Sequence, residues 1–105
     1  MMNPRVKARI EAEIQRELSD IIATELRDPV LKEFLPDIVG VELSANGQRA
    51  TVYVFAGDEA LREAVLSALA RDAGFLRTEL AHRMDLRRVP TLRFAWEDPL
   101  KRWPL

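Results

Sequence analysis

The chain has 105 residues, 48% hydrophobic and 31% charged, with a formal net charge of −1. Those figures describe one globular domain able to bury roughly 65% of its unfolded surface, and they exclude a disordered chain. The absence of cysteine excludes disulfides, thiolate metal sites and cysteine nucleophiles; no apolar run approaches a membrane span, and the opening MMNPRVKARIEAE holds no signal-like apolar core, so cytoplasm is the expected compartment.

Residues 4–27 are expected to form the first helix. Asn3 is a suitable N-cap and Pro4 suits the first helical position. Val6, Ile10, Ile14, Leu18, Ile21, Ile22 and Leu26 recur at three- and four-residue steps. Arg27-Asp28-Pro29 ends the helix, because proline disfavours helical geometry in the residue before it. Residues 29–36 read as a connector, with Leu31, Phe34 and Leu35 folding back onto the core and Pro36 barring a further helix. Asn46-Gly47 between two β-rich runs, residues 38–44 and 49–56, is a strong hairpin signal. Val39, Val41 and Leu43 are expected on one face of the first strand. Ala50, Val52 and Val54 oppose Thr51, Tyr53 and Phe55 on the second.

Asp58 caps the next helix, whose buried face is expected to be Ala60, Leu61, Ala64, Val65, Ala68 and Leu69. A second apolar set, Phe75, Leu76, Leu80 and Met84, follows the triplet Asp72-Ala73-Gly74. A glycine within a helix costs about 1 kcal/mol relative to alanine, so the helix kinks there, or stops and restarts. Pro90 opens a last strand in which Leu92, Phe94 and Trp96 share one face and Thr91, Arg93 and Ala95 the other. The order α-β-β-α-kink-α-β predicts a single-domain α+β two-layer sandwich over residues 1–105: a three-stranded sheet with helices on one face and a short tail at residues 100–105. The last strand is expected to pair beside the first.

Charge is unevenly spread. Residues 1–10 stand at +3 and residues 71–93 at +3, while residues 11–37 stand at −5 and residues 38–70 at −2. Thirteen of the sixteen basic residues are arginine, the side chain suited to bidentate phosphate contacts. Two basic zones in a slightly acidic chain point to a phosphate-bearing partner. Arg5, Arg9 and Arg16 fall within about 40° of helical arc, away from the apolar stripe; a solvated charged face is the competing account.

The element order is that of type II KH domains. The segments RELSDIIATELRDPVL, VELSANGQRATVYV and AGFLRTELAHRMDLRRVPTLRF together resemble the ribosome-binding factor A family. The resemblance implies a KH-like fold and a non-catalytic, RNA-binding role in maturing the small (30S) ribosomal subunit and its 16S rRNA. It also implies cold adaptation, assembly GTPases as further partners, a monomeric state, and no cofactor, metal or membrane. KH domains clamp a nucleic-acid backbone with a GxxG loop. The family has Ala-x-Gly there instead, matched here by Asp72, Ala73 and Gly74 with an acid in the first place. A restarted helix offers free N–H groups to an anion, but Asp72 is placed to cap them. Phosphate contacts are therefore assigned to Arg77, Arg83, Arg87 and Arg88, and to Arg5, Lys7 and Arg9 at the start of the first helix. Arg71 is expected to pair with Asp72 or Asp85.

Other candidate chemistry is thin. His82 is the only histidine, and a lone histidine is more often a surface residue than a ligand. Glu97 and Asp98 are adjacent in an extended segment and point to opposite faces, which does not suit paired acid–base work. Trp96 reads as core, and Trp103 as core or stacking platform. The alternative function is an α+β interaction or regulatory module that dimerises and does not bind RNA, consistent with the acidic middle of the chain.

Overall fold

The structure, a computed structural model, describes residues 2–85 and 89–101. Helix α1 spans Pro4–Thr24, α2 Pro29–Glu33, strand β1 Asp37–Leu43, β2 Arg49–Phe55, α3 Arg62–Arg71, α4 Ala73–Arg83 and β3 Thr91–Trp96, with a single 3₁₀ turn at Glu59–Leu61 before α3. This is the expected α+β, KH-like architecture. Helices pack on one face of a three-stranded sheet, and the Cα extents of 38 × 38 × 17 Å are those of a slab of two layers.

Local chemistry sets the helix ends. The Asn3 side chain accepts a hydrogen bond from Arg5 N at 2.8 Å, with Pro4 at the first helical position. α1 stops at Thr24, three residues short of the expected end. The next helix begins at once: Asp28 is extended, caps Val30 N at 3.0 Å, and Pro29 opens α2. The expected connector thus contains a short helix. Leu31 is buried and Phe34 packs on the core, but Leu35 is 54% exposed, contrary to expectation. Asp58 caps the 3₁₀ turn through Ala60 N at 2.9 Å. Ala60, in the 3₁₀ turn, and Ala64, at the margin of the buried stripe of α3, are exposed, contrary to expectation.

Strand order is β1-β2-β3, with β1/β2 antiparallel and β2/β3 parallel. This corrects the expectation that β3 lies beside β1. The helical crossover α3–α4 returns the chain beside the strand it left, as consecutive elements tend to do. It makes β2 the central strand, and Ala50, Val52 and Val54 are all 0% exposed. β1 departs from simple alternation too. Ile38 pairs with Val54 but Gly40 pairs with Tyr53, so Val39 is an extra, bulged residue. The bulge puts Ile38, Val41 and Leu43 against the core in place of the Val39-Val41-Leu43 set.

The core joins Ile14, Leu18 and Ile21 of α1, Val65, Ala68 and Leu69 of α3, and Leu76 and Leu80 of α4 to the inner face of the sheet. Truncating one of the large residues to alanine costs about 2–5 kcal/mol. α1 also covers the free edge of β1. Glu11 Oε2 accepts from Leu43 N and Gln15 Nε2 donates to Ile38 O, each at 2.8 Å. Two backbone groups that could template another strand are thereby occupied.

Candidate nucleic-acid interface

The β1–β2 hairpin touches the edge of each basic zone. Gly47 holds φ +72°, a conformation that favours glycine, and a Cβ there would stand 2.8 Å from Met2 Cε. Met2 N donates to Ala45 O at 3.4 Å, so the segment leading into α1 rests on the hairpin. From the other zone, Thr91 N donates to Gln48 O at 2.9 Å, two residues after Val89. The start of α1 and the residues just before β3 therefore both rest on the hairpin, at one end of the sheet.

The cations at that end differ in how free they are. Arg5 and Arg9 are exposed, and neither guanidinium has a hydrogen bond or ion pair among the described residues. Lys7 is paired with Glu11 at 3.0 Å; the hydrogen bond it donates to Glu11, together with the fields of Glu11 and Glu42, raises its pKa above the ordinary lysine value. Arg77 is exposed and donates from Nη2 to Val89 O at 2.9 Å, which ties α4 to the corner and leaves its charge without a counter-ion among the described residues. Arg87 and Arg88 lie outside the described residues.

Arg83 has a different environment. Its guanidinium meets Asp20 at 2.7 Å, Glu17 at 3.1 Å and Glu25, and its side chain is only 26% exposed. The hydrogen bonds it donates to Asp20, Glu17 and Glu25 push its pKa further up. It fastens the end of α4 to α1, and its charge is more than balanced by the three carboxylates.

The helix break falls at Asp72, which has φ −96° and ψ 5° between α3 and α4. Gly74 lies inside α4 with no positive φ and open space where a Cβ would stand. The expected side-chain cap is absent: Asp72 makes no hydrogen bond to the α4 N-terminus, and its Oδ2 is buried without a partner. Instead the carboxyl turns toward Asp28. Burial, followed by the hydrogen bond and charge of Asp28, pushes the Asp72 pKa up to about 6. Asp28 is held below the usual carboxylate range, chiefly by the Asp72 hydrogen bond and then by Arg71. Arg71 Nη2 meets Asp28 Oδ2 at 2.8 Å, so its partner is neither Asp72 nor Asp85. Asp28 sits 43 residues from Arg71 in the chain, and no local pattern could reveal the pairing.

His82 is exposed beside Glu79, with Nδ1 3.8 Å from Oε1. Trp96 packs against the core and donates from Nε1 to Glu59 at 2.8 Å. Among the described residues no group of three His, Cys, Asp or Glu could hold a metal ion, and no helix is long and apolar enough to cross a membrane. Sequence reasoning missed a recess on the sheet side, lined by Lys7, Glu42, Arg49, Thr51 and Arg93. Arg93's place opposite Leu92 in the strand alternation was the available signal.

A three-stranded sheet under one helix layer, with two helices meeting at a break and a basic end, defines a KH-like domain of type II order that lacks the GxxG loop. The family model of ribosome-binding factor A matches residues 6–103. The chain is 38% identical to ribosome-binding factor A of Dehalococcoides mccartyi over 103 residues, covering 96% of this chain and 85% of that protein. It is 41% identical to that of Heliobacterium modesticaldum, covering 90% and 78%. The crystal structure of ribosome-binding factor A from Thermus thermophilus superposes with a TM-score of 0.74 at 40% identity, over 85% of this chain and 93% of that one. The solution structure of a Thermotoga maritima relative gives 0.74 at 39%, over 90% and 91%. A homology model of the Thermus thermophilus protein, fitted into a cryo-EM map of its 30S complex, gives 0.70 at 40% identity, over 85% and 92%. The chain belongs to the ribosome-binding factor A family.

Proposed function

We propose that this protein is a non-catalytic, RNA-binding assembly factor that associates with the immature small (30S) ribosomal subunit and supports maturation of its 16S rRNA. The observation that carries the reading is that both basic zones adjoin the hairpin end of the sheet, through Met2 N to Ala45 O and Thr91 N to Gln48 O. Arg5 and Arg9 supply free guanidinium groups there and Arg77 a charge without a counter-ion among the described residues; Lys7 lies on the other side of α1, and Arg87 and Arg88 continue the zone in sequence. These groups bind phosphate oxygens and fix orientation, while the shape of the RNA supplies selection. Arg83 contributes to the fold rather than to the contact. The Thermus thermophilus relative, fitted into a map of its 30S complex, supports the choice of partner.

The protein acts as a monomer in the cytoplasm, in assembly and in adaptation to cold. Assembly GTPases are the partners suited to release it. Binding to purified immature small subunits, titrated across salt, tests the reading. Affinity must fall steeply as salt rises, since each phosphate contact releases counter-ions. A flat response, or co-migration with translating ribosomes rather than free small subunits, contradicts it. Charge reversal of Arg87 and Arg88 together should weaken association.

One observation favours the rival reading, a dimerising module without RNA binding. Phe75 and Leu35, 44% and 54% exposed, line one groove of about 1010 Å³ between α4 and the segment around α2. Solution mass and an RNA pull-down separate the two: a dimer that captures no RNA selects the rival.

A further inference from the structure

The helices cover one face of the sheet, and the opposite face is open. The strand register sets out that outer face in rows. Glu42, Thr51 and Arg93 stand abreast, then Gly40, Tyr53 and Ala95; Arg49 stands abreast of Thr91 at the hairpin end. Tyr53 is thus the one large residue of its row. A Cβ on Gly40 would be 3.9 Å from Tyr53 Cδ2, so the ring extends along the sheet over the glycine and is half-buried from below. With Gly40 on one side and Ala95 on the other, nothing in its row stands above the ring.

The row beside this aromatic platform is cationic. Arg49 and Arg93 are exposed, and neither guanidinium has an ion pair or hydrogen bond among the described residues. Both line the recess of about 470 Å³ whose far wall is Lys7 of α1. The recess therefore joins the outer face of the sheet to the basic start of α1 without a break. Glu42 is the one acid lining it, and it lies in the field of Lys7.

We propose that this outer face is a second RNA contact, for a single-stranded segment: an unpaired base stacks on Tyr53, and the adjoining phosphates take Arg93 and Arg49. The inference rests on the RNA-binding reading and extends it to a surface opposite the helices. A polyanion is selected by the two unpaired guanidinium groups. A single strand is selected by the platform, because a duplex keeps its base faces stacked and cannot offer one to a tyrosine. Stacking of this kind tolerates any base, since every base has a π-face. Lys7 ends this phosphate track at the edge of the sheet, on the side of α1 away from Arg5 and Arg9.

The test uses the full chain and an unstructured RNA of about ten nucleotides, within the span typical of single-strand sites, carrying 2-aminopurine at one position. A hairpin RNA of equal length is the control. The native protein quenches 2-aminopurine emission and prefers the single strand. Tyr53→Leu keeps the apolar bulk of the row, abolishes the quenching and weakens single-strand binding about fivefold or more, while hairpin binding is unchanged. Arg93→Gln, an exposed change that does not threaten the core, weakens single-strand binding and lowers its salt slope by about 0.7. Should both variants bind like the native protein while Arg5→Gln/Arg9→Gln binds less, the sheet face is not a contact and the wider RNA reading stands. A native protein that binds neither RNA nor small subunits sinks the wider reading itself. Equal binding of a poly-glutamate peptide overturns the choice of RNA in favour of an acidic protein partner.

Discussion

Asp72 buries one carboxylate oxygen against Asp28, far earlier in the chain, and Arg71 closes the group from the other side. An ionisable group thus occupies the joint between α3 and α4, where the family resemblance implies a small residue. Its pKa of about 6 against an ordinary 3.8 means that folding favours the protonated form. That contribution is fully present below about pH 3.8 and is lost as pH rises through about 6. Asp28 acts with the opposite sign, its contribution lost only as pH falls below its ordinary range.

Asp72→Asn fixes a neutral donor beside Asp28. It should raise the melting temperature at pH 7.5, and its stability advantage should widen by about 1 kcal/mol between about pH 5 and pH 7.5. Urea melts at the two pH values measure this. An advantage that stays constant would show that Asp72 does not titrate in that window.

Arg83 makes a separate prediction. Replacing it by methionine keeps the stem that packs over α1 and leaves Glu17, Asp20 and Glu25 without their common counter-ion. Stability should fall, read as a lower urea midpoint than that of the native chain. RNA affinity at fixed salt should be unchanged or slightly lower. A loss of RNA affinity larger than that of Arg5→Gln/Arg9→Gln would restore Arg83 to the interface.

Arg5 and Arg9 are the converse case. Both are exposed and unpaired among the described residues, so Arg5→Gln/Arg9→Gln should leave the melting temperature within about 2 °C, as exposed changes usually do. If each arginine holds one phosphate, the double variant should lower the slope of log affinity against log salt by about 1.4 on a single strand. An unaltered slope would mean that these side chains do not face the RNA.

The sequence carried α1, the α3–α4 pair and the hairpin because their starts are written in local chemistry: Asn3-Pro4, Asp58, and Asn46-Gly47 between alternating runs; it missed the short helix α2. It did not carry the partner of β3. Leu92, Phe94 and Trp96 present one apolar face whether the strand lies beside β1 or β2, and only the crossover through α3 and α4 decides. The bulge at Val39 was equally hidden, since Ile38 and Val39 are both good strand residues and period-2 counting cannot say where an extra one sits. For the site, composition located the two basic zones but could not tell free arginines from engaged ones. Arg83 is 63 positions from Asp20 in sequence and 2.7 Å from it in space, and that contact separates a structural guanidinium from a binding one.

Gly74 gives the most direct test of whether the helix joint meets RNA. Its backbone is ordinary helix, without positive φ, and a Cβ would meet nothing within 4 Å. Folding alone therefore does not require glycine. Gly74→Ala should stabilise the protein by up to about 1 kcal/mol, through helix propensity and a less flexible unfolded chain. What glycine does allow is close approach of another molecule's backbone to the first turn of α4. If a phosphate comes to that turn, the added methyl lowers affinity for the immature small subunit although the variant melts higher. A variant that is more stable and binds as well as the native chain removes the joint from the interface and leaves the hairpin end as the contact.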